Sequence, residues 1–267
     1  NHVRSELVRL KPAELLWPDL LSTPEGLPGS VTSYPSWHFE LGRCQDLLKE
    51  HFKVSSLDGF GLRAKQLAIR TTGAILQYLQ DTQKSALKLL TSLNTYSTTD
   101  FMVLDAEARR NLELTETIRN GKVEGSLLSV LDQTVTPMGK RLLRNWVNKP
   151  LLSVNSINNR LELVEYFYQY GMTRVSVIDA LKDFHDLERL INRVVSGNAR
   201  PPDLVAIRED LALIPQLLEQ IPDNEPAFAK LKKACHTLPQ HLALLQSAIE
   251  DDPPATLANT GSIRPGY

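Results

Sequence analysis

At 267 residues the chain exceeds the usual size of one domain, so one large domain, or one domain with part of another, is expected. Its 30 basic residues are balanced by 31 acidic ones, so no net field draws it to nucleic acid or an anionic membrane, and a dedicated DNA-binding domain is disfavoured. Cys44 and Cys235 stand far apart without C-x-x-C spacing, and no apolar run reaches the roughly 18–20 residues of a bilayer span, so a reduced, soluble, cytoplasmic protein without a membrane segment is expected. The start at Asn1, with no initiator methionine, suggests a piece of a longer polypeptide.

From Glu6 to Leu21, apolar and charged positions mix around Lys11-Pro12 and Trp17-Pro18, which predicts a helix end leading into a short extended piece. Pro24, Gly26, Pro28 and Gly29 give Ser22–Tyr34 the composition of a loop. Ser36 is placed to cap a helix carrying Trp37, Leu41, Cys44, Leu48 and Phe52 on one stripe. Leu57–Gly61 breaks that pattern, which puts a domain boundary at residues 64/65. From Gln66 a longer helix should align Leu67, Thr71, Ala74, Tyr78 and Leu79.

The stretch from Phe101 to Pro150 is the densest in structural punctuation. Phe101–Leu104 is a short strand-compatible run, and Asn120, Gly121 and Gly125 mark a turn before Leu127, Leu128, Val130 and Leu131 open a helical pattern. Thr136-Pro137 then starts a second helix: the hydroxyl satisfies a free amide, and proline at the first helical position gives up no hydrogen bond. Met138, Leu142 and Trp146, at i, i+4 and i+8, share a packing face that Lys140, Arg141 and Arg144 avoid.

These residues carry a family resemblance. Asp105-Ala106, Arg109-Arg110-Asn111-Leu112-Glu113-Leu114, Leu131-Asp132, Thr134, Thr136, Met138-Gly139, Arg141-Leu142-Leu143 and Trp146 follow the order seen at the start of the core (lever) domain of the MutS family of DNA mismatch repair ATPases. Ala108 stands where threonine is usual. Glu6–Leu16 similarly resembles the close of the connector domain of that family. The resemblance implies residues 1–64 as the end of a connector domain and 65–267 as a core domain that stops before the clamp.

Beyond Pro150 the pattern is almost wholly helical. Ser153 is set to cap a helix bearing Val154, Ile157, Leu161, Val164 and Tyr168, and Asp186 leads another with Leu187, Leu190, Ile191 and Val194. Two final rods follow, on Leu204, Ile207, Leu211, Ile214, Leu218 and Ile221, and on Phe228, Leu231, Cys235, Leu238, Leu242, Leu245 and Ile249. Their alternating three- and four-residue spacing predicts an antiparallel pair, the second roughly 35 Å long at 1.5 Å per residue. Pro215 and Pro239 should each kink a rod. The expected fold class is mainly α, a helical bundle of long packed helices with a few short strands.

No phosphate-cradling G-x-x-x-x-G-K-[ST] occurs: Gly139-Lys140 is followed by Arg141, and Thr134 stands where the first glycine belongs. Gly59-Phe60-Gly61 reads as a turn, and His38-Phe39-Glu40 places its aromatic and acid side by side on a helix, pointing apart, so core packing is its expected role. Cys235, His236 and His241 do not make a metal site, since i and i+5 on a helix point about 140 degrees apart. Asp179, Asp183 and Asp186 sit where helix starts welcome acids.

Arg109, Arg110, Lys140, Arg141 and Arg144, with Lys149, are the candidates for weak contact with DNA or a neighbouring domain. Asp100, Asp105, Glu107, Glu113, Glu116 and Asp132 lie among them, and such a mixed surface neutralises few phosphates. The resemblance implies, as the expected function, a non-catalytic connector and core segment that mechanically links the ATPase of a MutS-type protein to its DNA clamp and mismatch-binding regions. No catalytic, cofactor or metal residue is expected here, with ATP and Mg in the full-length parent. The resemblance implies the rest of that chain, mismatched double-stranded DNA and a second copy as partners. The alternatives are a free-standing helical protein-interaction scaffold and a helical enzyme, the latter requiring a pocket of convergent polar groups.

Overall fold

The computed structural model describes residues 2–96, 101–223, 225–256 and 261–267; Asp100 of the acidic set above lies outside them. The chain divides into two compact units, Asn1–Leu112 and Glu113–Tyr267.

In the first unit, helix α1 (His2–Leu10) precedes strand β1 (Glu14–Pro18). The expected loop through Tyr34 ends earlier: Ser30–Tyr34 is a second strand, β2, parallel to β1 with Glu14 opposite Ser30 and Pro18 opposite Tyr34. Pro and Gly cease at Gly29, and Val31, Thr32 and Tyr34 are good strand formers once a neighbouring edge is offered. Gly29 is required at this junction, because its φ is +87° and a Cβ there would lie 2.4 Å from the Pro12 carbonyl oxygen.

A 3-10 turn over Ser36–Phe39 follows, and helix α2 begins only at Leu41 (Leu41–Phe52). Ser36 does not cap it. The extended Glu40 intervenes, and the Ser36 hydroxyl donates instead to Asp19 Oδ1 at 2.6 Å. Helix α3 (Gln66–Thr82) packs on α2. Its buried face is Ile69, Gly73, Ala74 and Leu76, so Leu67, expected inward, points to solvent. Cys44, Leu48, Leu57, Leu62, Ile69 and Leu76 form the core of this unit. Full burial of a leucine is worth about 1.5–3 kcal/mol, so this cluster outweighs the exposed ion pairs around it. The Leu57–Gly61 break lies within that core, between two helices that share it.

His38 is nearly buried, stacked between Tyr34 at 4.3 Å and Trp37 at 3.5 Å, and its Nδ1 has no hydrogen-bond partner among the described residues. Burial, and then the charge of Arg43, hold its pKa below the usual histidine value. The unfolded chain therefore binds this proton more readily, so the contribution to stability is present above the unfolded pKa of about 6.5 and is lost as pH falls. Between pH 7 and 5.5 the urea midpoint of the chain should drop, and His38→Phe, which keeps the stacking and removes the proton site, should flatten that drop. Equal slopes for the two proteins would refute this role.

In sequence, the motif region runs from the end of the first unit into the start of the second. Phe101 is a lone bridge residue and 102–105 carry no regular structure, so the expected strand does not form; Met102 and Val103 stand exposed without a ladder partner. Helix α4 (Ala106–Asn111) closes the first unit, capped by Asp105, whose carboxylate accepts from Ala108 N–H at 2.7 Å.

The second unit is helical. Helix α5 (Leu127–Leu131) is capped by Ser126, α6 (Pro137–Asn148) by Thr136 and α7 (Val154–Gln169) by Ser153, each side chain accepting from an N–H three residues on. Helices α8 (Gly171–Lys182), α9 (Leu187–Val195) and α10 (Pro201–Glu219) follow, with α10 continuous through Pro215. Leu190, Ile207 and Leu211 form a smaller core, against which Leu242 and Leu245 also pack.

The second long rod is not one helix. It is α11 (Pro226–Ala234) and α12 (Pro239–Ala248), separated by an extended Cys235 and a left-handed Leu238 at φ +46°. Proline disfavours helix at the residue before it and is well suited to the first helical position, so Pro239 restarts the helix where a kink was expected. The halves part company: α11 packs on α7 and α12 on α10. An antiparallel bridge between Ile249 and Ile263 then folds the tail back.

Candidate functional site

Five of the six basic candidates fall into two groups. On α4, Arg109 is half-buried and its Nε donates to the Leu104 carbonyl at 3.2 Å. Burial, and then the charge of Arg9, lower its pKa from the ordinary guanidinium value. Arg110 is exposed, with no carboxylate in ion-pair reach among the described residues.

On α6 each candidate faces an acid. Lys140 Nζ lies 3.5 Å from Asp132, and Arg144 lies 3.7 Å from Glu116. Arg141 makes a two-pronged fork, with Nη1 and Nη2 donating to the two oxygens of Asp186 at 2.8 and 2.7 Å, while Nε donates to Glu188 at 3.0 Å. The hydrogen bonds that Arg141 donates to Asp186 and then to Glu188 raise its pKa, and the fork lowers that of Asp186. Asp186 also caps α9, accepting from the Arg189 N–H at 3.3 Å. Asp132 is lowered chiefly by the Thr134 hydroxyl, which donates at 2.6 Å.

This arrangement braces helices with planar, charge-assisted contacts. A cation already matched to a carboxylate releases few counterions from a phosphate backbone, so the α6 surface is a poor electrostatic site for DNA. Its apolar face is only partly used: Leu142 and Trp146 remain exposed, and the Arg160 guanidinium lies 3.9 Å from the Trp146 ring centre.

The remaining sequence candidates separate. Cys235 is exposed in the break between α11 and α12, which corrects its expected place on an apolar helix stripe. Asp179 pairs with Lys182 at 2.7 Å, Asp183 ends α8 and Asp186 caps α9. Gly59 and Gly61 belong to a short 3-10 turn and its left-handed end. Among the described residues, no group of three or more His, Cys, Asp or Glu is placed to hold a metal, and no helix is long and apolar enough to cross a membrane. A surface cavity of about 480 Å³ between α7 and α11 is lined, among the described residues, by Glu162, Glu165, Tyr166, Gln169, Tyr170, Glu225 and Pro226, with no thiol or basic side chain among them.

Two carboxylates went unnoticed in the sequence. Asp203, 4% exposed, accepts from the Arg200 N–H at 2.9 Å and from Arg193 at 2.8 Å. Asp210, fully buried, accepts from both the backbone N–H and the ring Nδ1 of His185 at 3.0 Å through a single oxygen. The only sequence signal was for Asp203, an acid in the first turn after Pro201-Pro202.

The class is that of a mainly helical body in which several charged side chains brace helices against one another. Two family models match the chain. Residues 1–91 match the family model for MutS domain II, and residues 107–265 match MutS domain III. The chain belongs to the MutS family. It is 38% identical over 238 residues to the DNA mismatch repair protein MutS of Alkaliphilus oremlandii, covering 89% of this chain and 27% of that protein. It is 41% identical to that of Halothermothrix orenii, covering 83% and 25%, and 34% identical to that of Dehalococcoides mccartyi, covering 100% and 32%. The chain thus spans about a quarter to a third of the length of these relatives.

Proposed function

We propose that this chain is the non-catalytic connector and core segment of a MutS-type mismatch repair ATPase, joining the ATPase to the regions that clamp DNA and bind the mismatch. The observation that carries this reading is an uncovered apolar stripe. Val154, Leu161, Val164 and Tyr168 recur at spacings of seven, three and four, within about an 80° arc of α7. All are exposed, Tyr168 by 81%, and Met172 on α8 adds a side chain 82% exposed. A free-standing scaffold would use such a face internally; a segment of a longer protein leaves it for helices outside these residues.

On this reading ATP and Mg²⁺ act elsewhere in a cytoplasmic parent that works as a homodimer on mismatched double-stranded DNA. Arg109 and Arg141 serve the fold. Exposed Arg110, together with Lys140 and Arg144, each held by one long contact, supplies weak contact with DNA or a neighbouring domain.

The test is a chimera in which residues 1–267 replace the matching segment of the Alkaliphilus oremlandii protein, expressed in a bacterium lacking MutS. The mutation rate should fall toward that given by the unaltered relative, whereas a soluble chimera that turns over ATP yet leaves the rate unchanged would refute the role. Light scattering separates the scaffold alternative: the isolated chain should associate as its concentration rises, and a clean monomer would favour the scaffold.

A further inference from the structure

The core of the first unit is not filled throughout. At one level Cys44 of α2 packs so closely on Gly73 of α3 that no Cβ fits between them. Over the following turns Leu48 and Phe52 of α2 and Leu76 and Leu79 of α3 come round a cavity of about 140 Å³. A further wall is the segment after α3. Leu90 and Leu93 line the cavity there; the Leu90 carbonyl accepts from His51 Nε2 at 2.8 Å, and Leu93 packs on the same core cluster.

Its lining is hydrocarbon. Leucine, isoleucine and phenylalanine supply seven of the nine described lining residues; the other two, Thr72 and Ser92, bring hydroxyls, and none of the nine is charged. Ile75, Leu90 and Ser92 are exposed and mark the mouth. Protein interiors are packed nearly as densely as crystals, so wall atoms facing such a gap lack dispersion partners that a guest would supply. Water is a poor guest, since it needs two to four polar partners, whereas an apolar hole of about 150 Å³ stays dry and accepts a benzene-sized molecule. A drug-sized ligand, which fills roughly 300 Å³ or more, is too large.

We propose that this cavity between α2, α3 and residues 90–93 is a binding site for a small, neutral, apolar molecule of benzene size. The inference stands on the geometry of the first unit and does not depend on the role in mismatch repair. Size sets the upper limit on the ligand, and the uncharged lining sets its polarity: a ring atom that gives up water without a new partner should lose about tenfold in affinity or more.

Titration of the 267-residue chain with benzene, followed in methyl NMR spectra, tests it. The methyls of Leu48, Leu76 and Leu79 should shift and saturate, while those of Leu190, Ile207 and Leu211 in the second unit should stay in place. At about ten times the dissociation constant so measured, benzene should lower the unfolding equilibrium constant of the first unit about elevenfold. Pyridine, of the same size but with a ring nitrogen, should bind about tenfold more weakly. Ser92→Leu places a larger apolar side chain at an exposed lining position and should weaken benzene binding about tenfold or more; Thr91→Leu, beside it but outside the described lining, should leave it within about twofold. The two titrations of the unaltered chain need no variant to fold. No saturable shift up to the solubility limit of benzene, shifts spread equally over both units, or pyridine bound as tightly as benzene would overturn the proposal.

Discussion

Gly73→Val is expected to lower the stability of the first unit by about 3 kcal/mol or more, the upper range for inserting atoms into a filled core. An added Cβ at Gly73 would stand 2.4 Å from Cys44 Cβ and 2.7 Å from its Cα. The far side cannot yield easily: Cys44 is 1% exposed, and its thiol donates to the carbonyl of His38 at 3.1 Å. Even Gly73→Ala, which improves helix propensity by about 1 kcal/mol, should be net destabilising, because the clash is with main chain. Gly42 is the control. It lies in α2 with nothing within 4 Å of its added Cβ, so Gly42→Ala should raise stability by about 0.5–1 kcal/mol. Urea midpoints of the three variants check the set, and a neutral Gly73→Ala would show that α2 and α3 can separate freely.

Asp203→Ala is expected to cost the second unit about 2–3 kcal/mol, from the lost cap of α10 and the loss of an acceptor for Arg193. The estimate stays below that for a fully buried pair because the Arg193 side chain is 41% exposed and retains water. Burial works to raise the pKa of Asp203, but the Arg200 N–H and the Arg193 guanidinium outweigh it, leaving the carboxyl below its usual value. A carboxyl depressed in the folded state contributes stability that is present above the unfolded pKa of about 3.9 and is lost as pH falls through the folded value. Asp203→Asn, which keeps an acceptor without the charge, should recover part of the loss at pH 7. It should also remove this acid-side dependence. Thermal melts from pH 7 to 3 give both readings, and identical losses for Ala and Asn would show that the cap contributes little.

Local chemistry was legible wherever one residue satisfies its own neighbourhood. Thr136, Ser153 and Asp186 each accept from the third residue on, as their local sequence predicts, whereas Ser36, equally placed to cap, donates to the distant Asp19 instead. Pro239 shows the limit of periodicity. Phe228 to Ile249 keeps an unbroken apolar rhythm, yet proline forces the preceding residue from the helix and sends the two halves to different partners, α7 and α10. The strand Ser30–Tyr34 was hidden for the opposite reason: its ladder bonds are supplied by Glu14–Pro18, so nothing within the segment announces it.

The order of residues from Asp105 to Trp146 was enough to reveal the family, and the heptad-like spacings enough to predict a mainly helical chain. Only the tertiary structure decided that Arg141 closes on Asp186, 45 residues away, that Asp210 is buried on His185, and that the α7 stripe is left open. The division has a physical cause. Caps, breaks and apolar rhythm act between near neighbours along the chain, whereas the partner of a charge and the cover of an apolar face are set by which helices come to lie side by side.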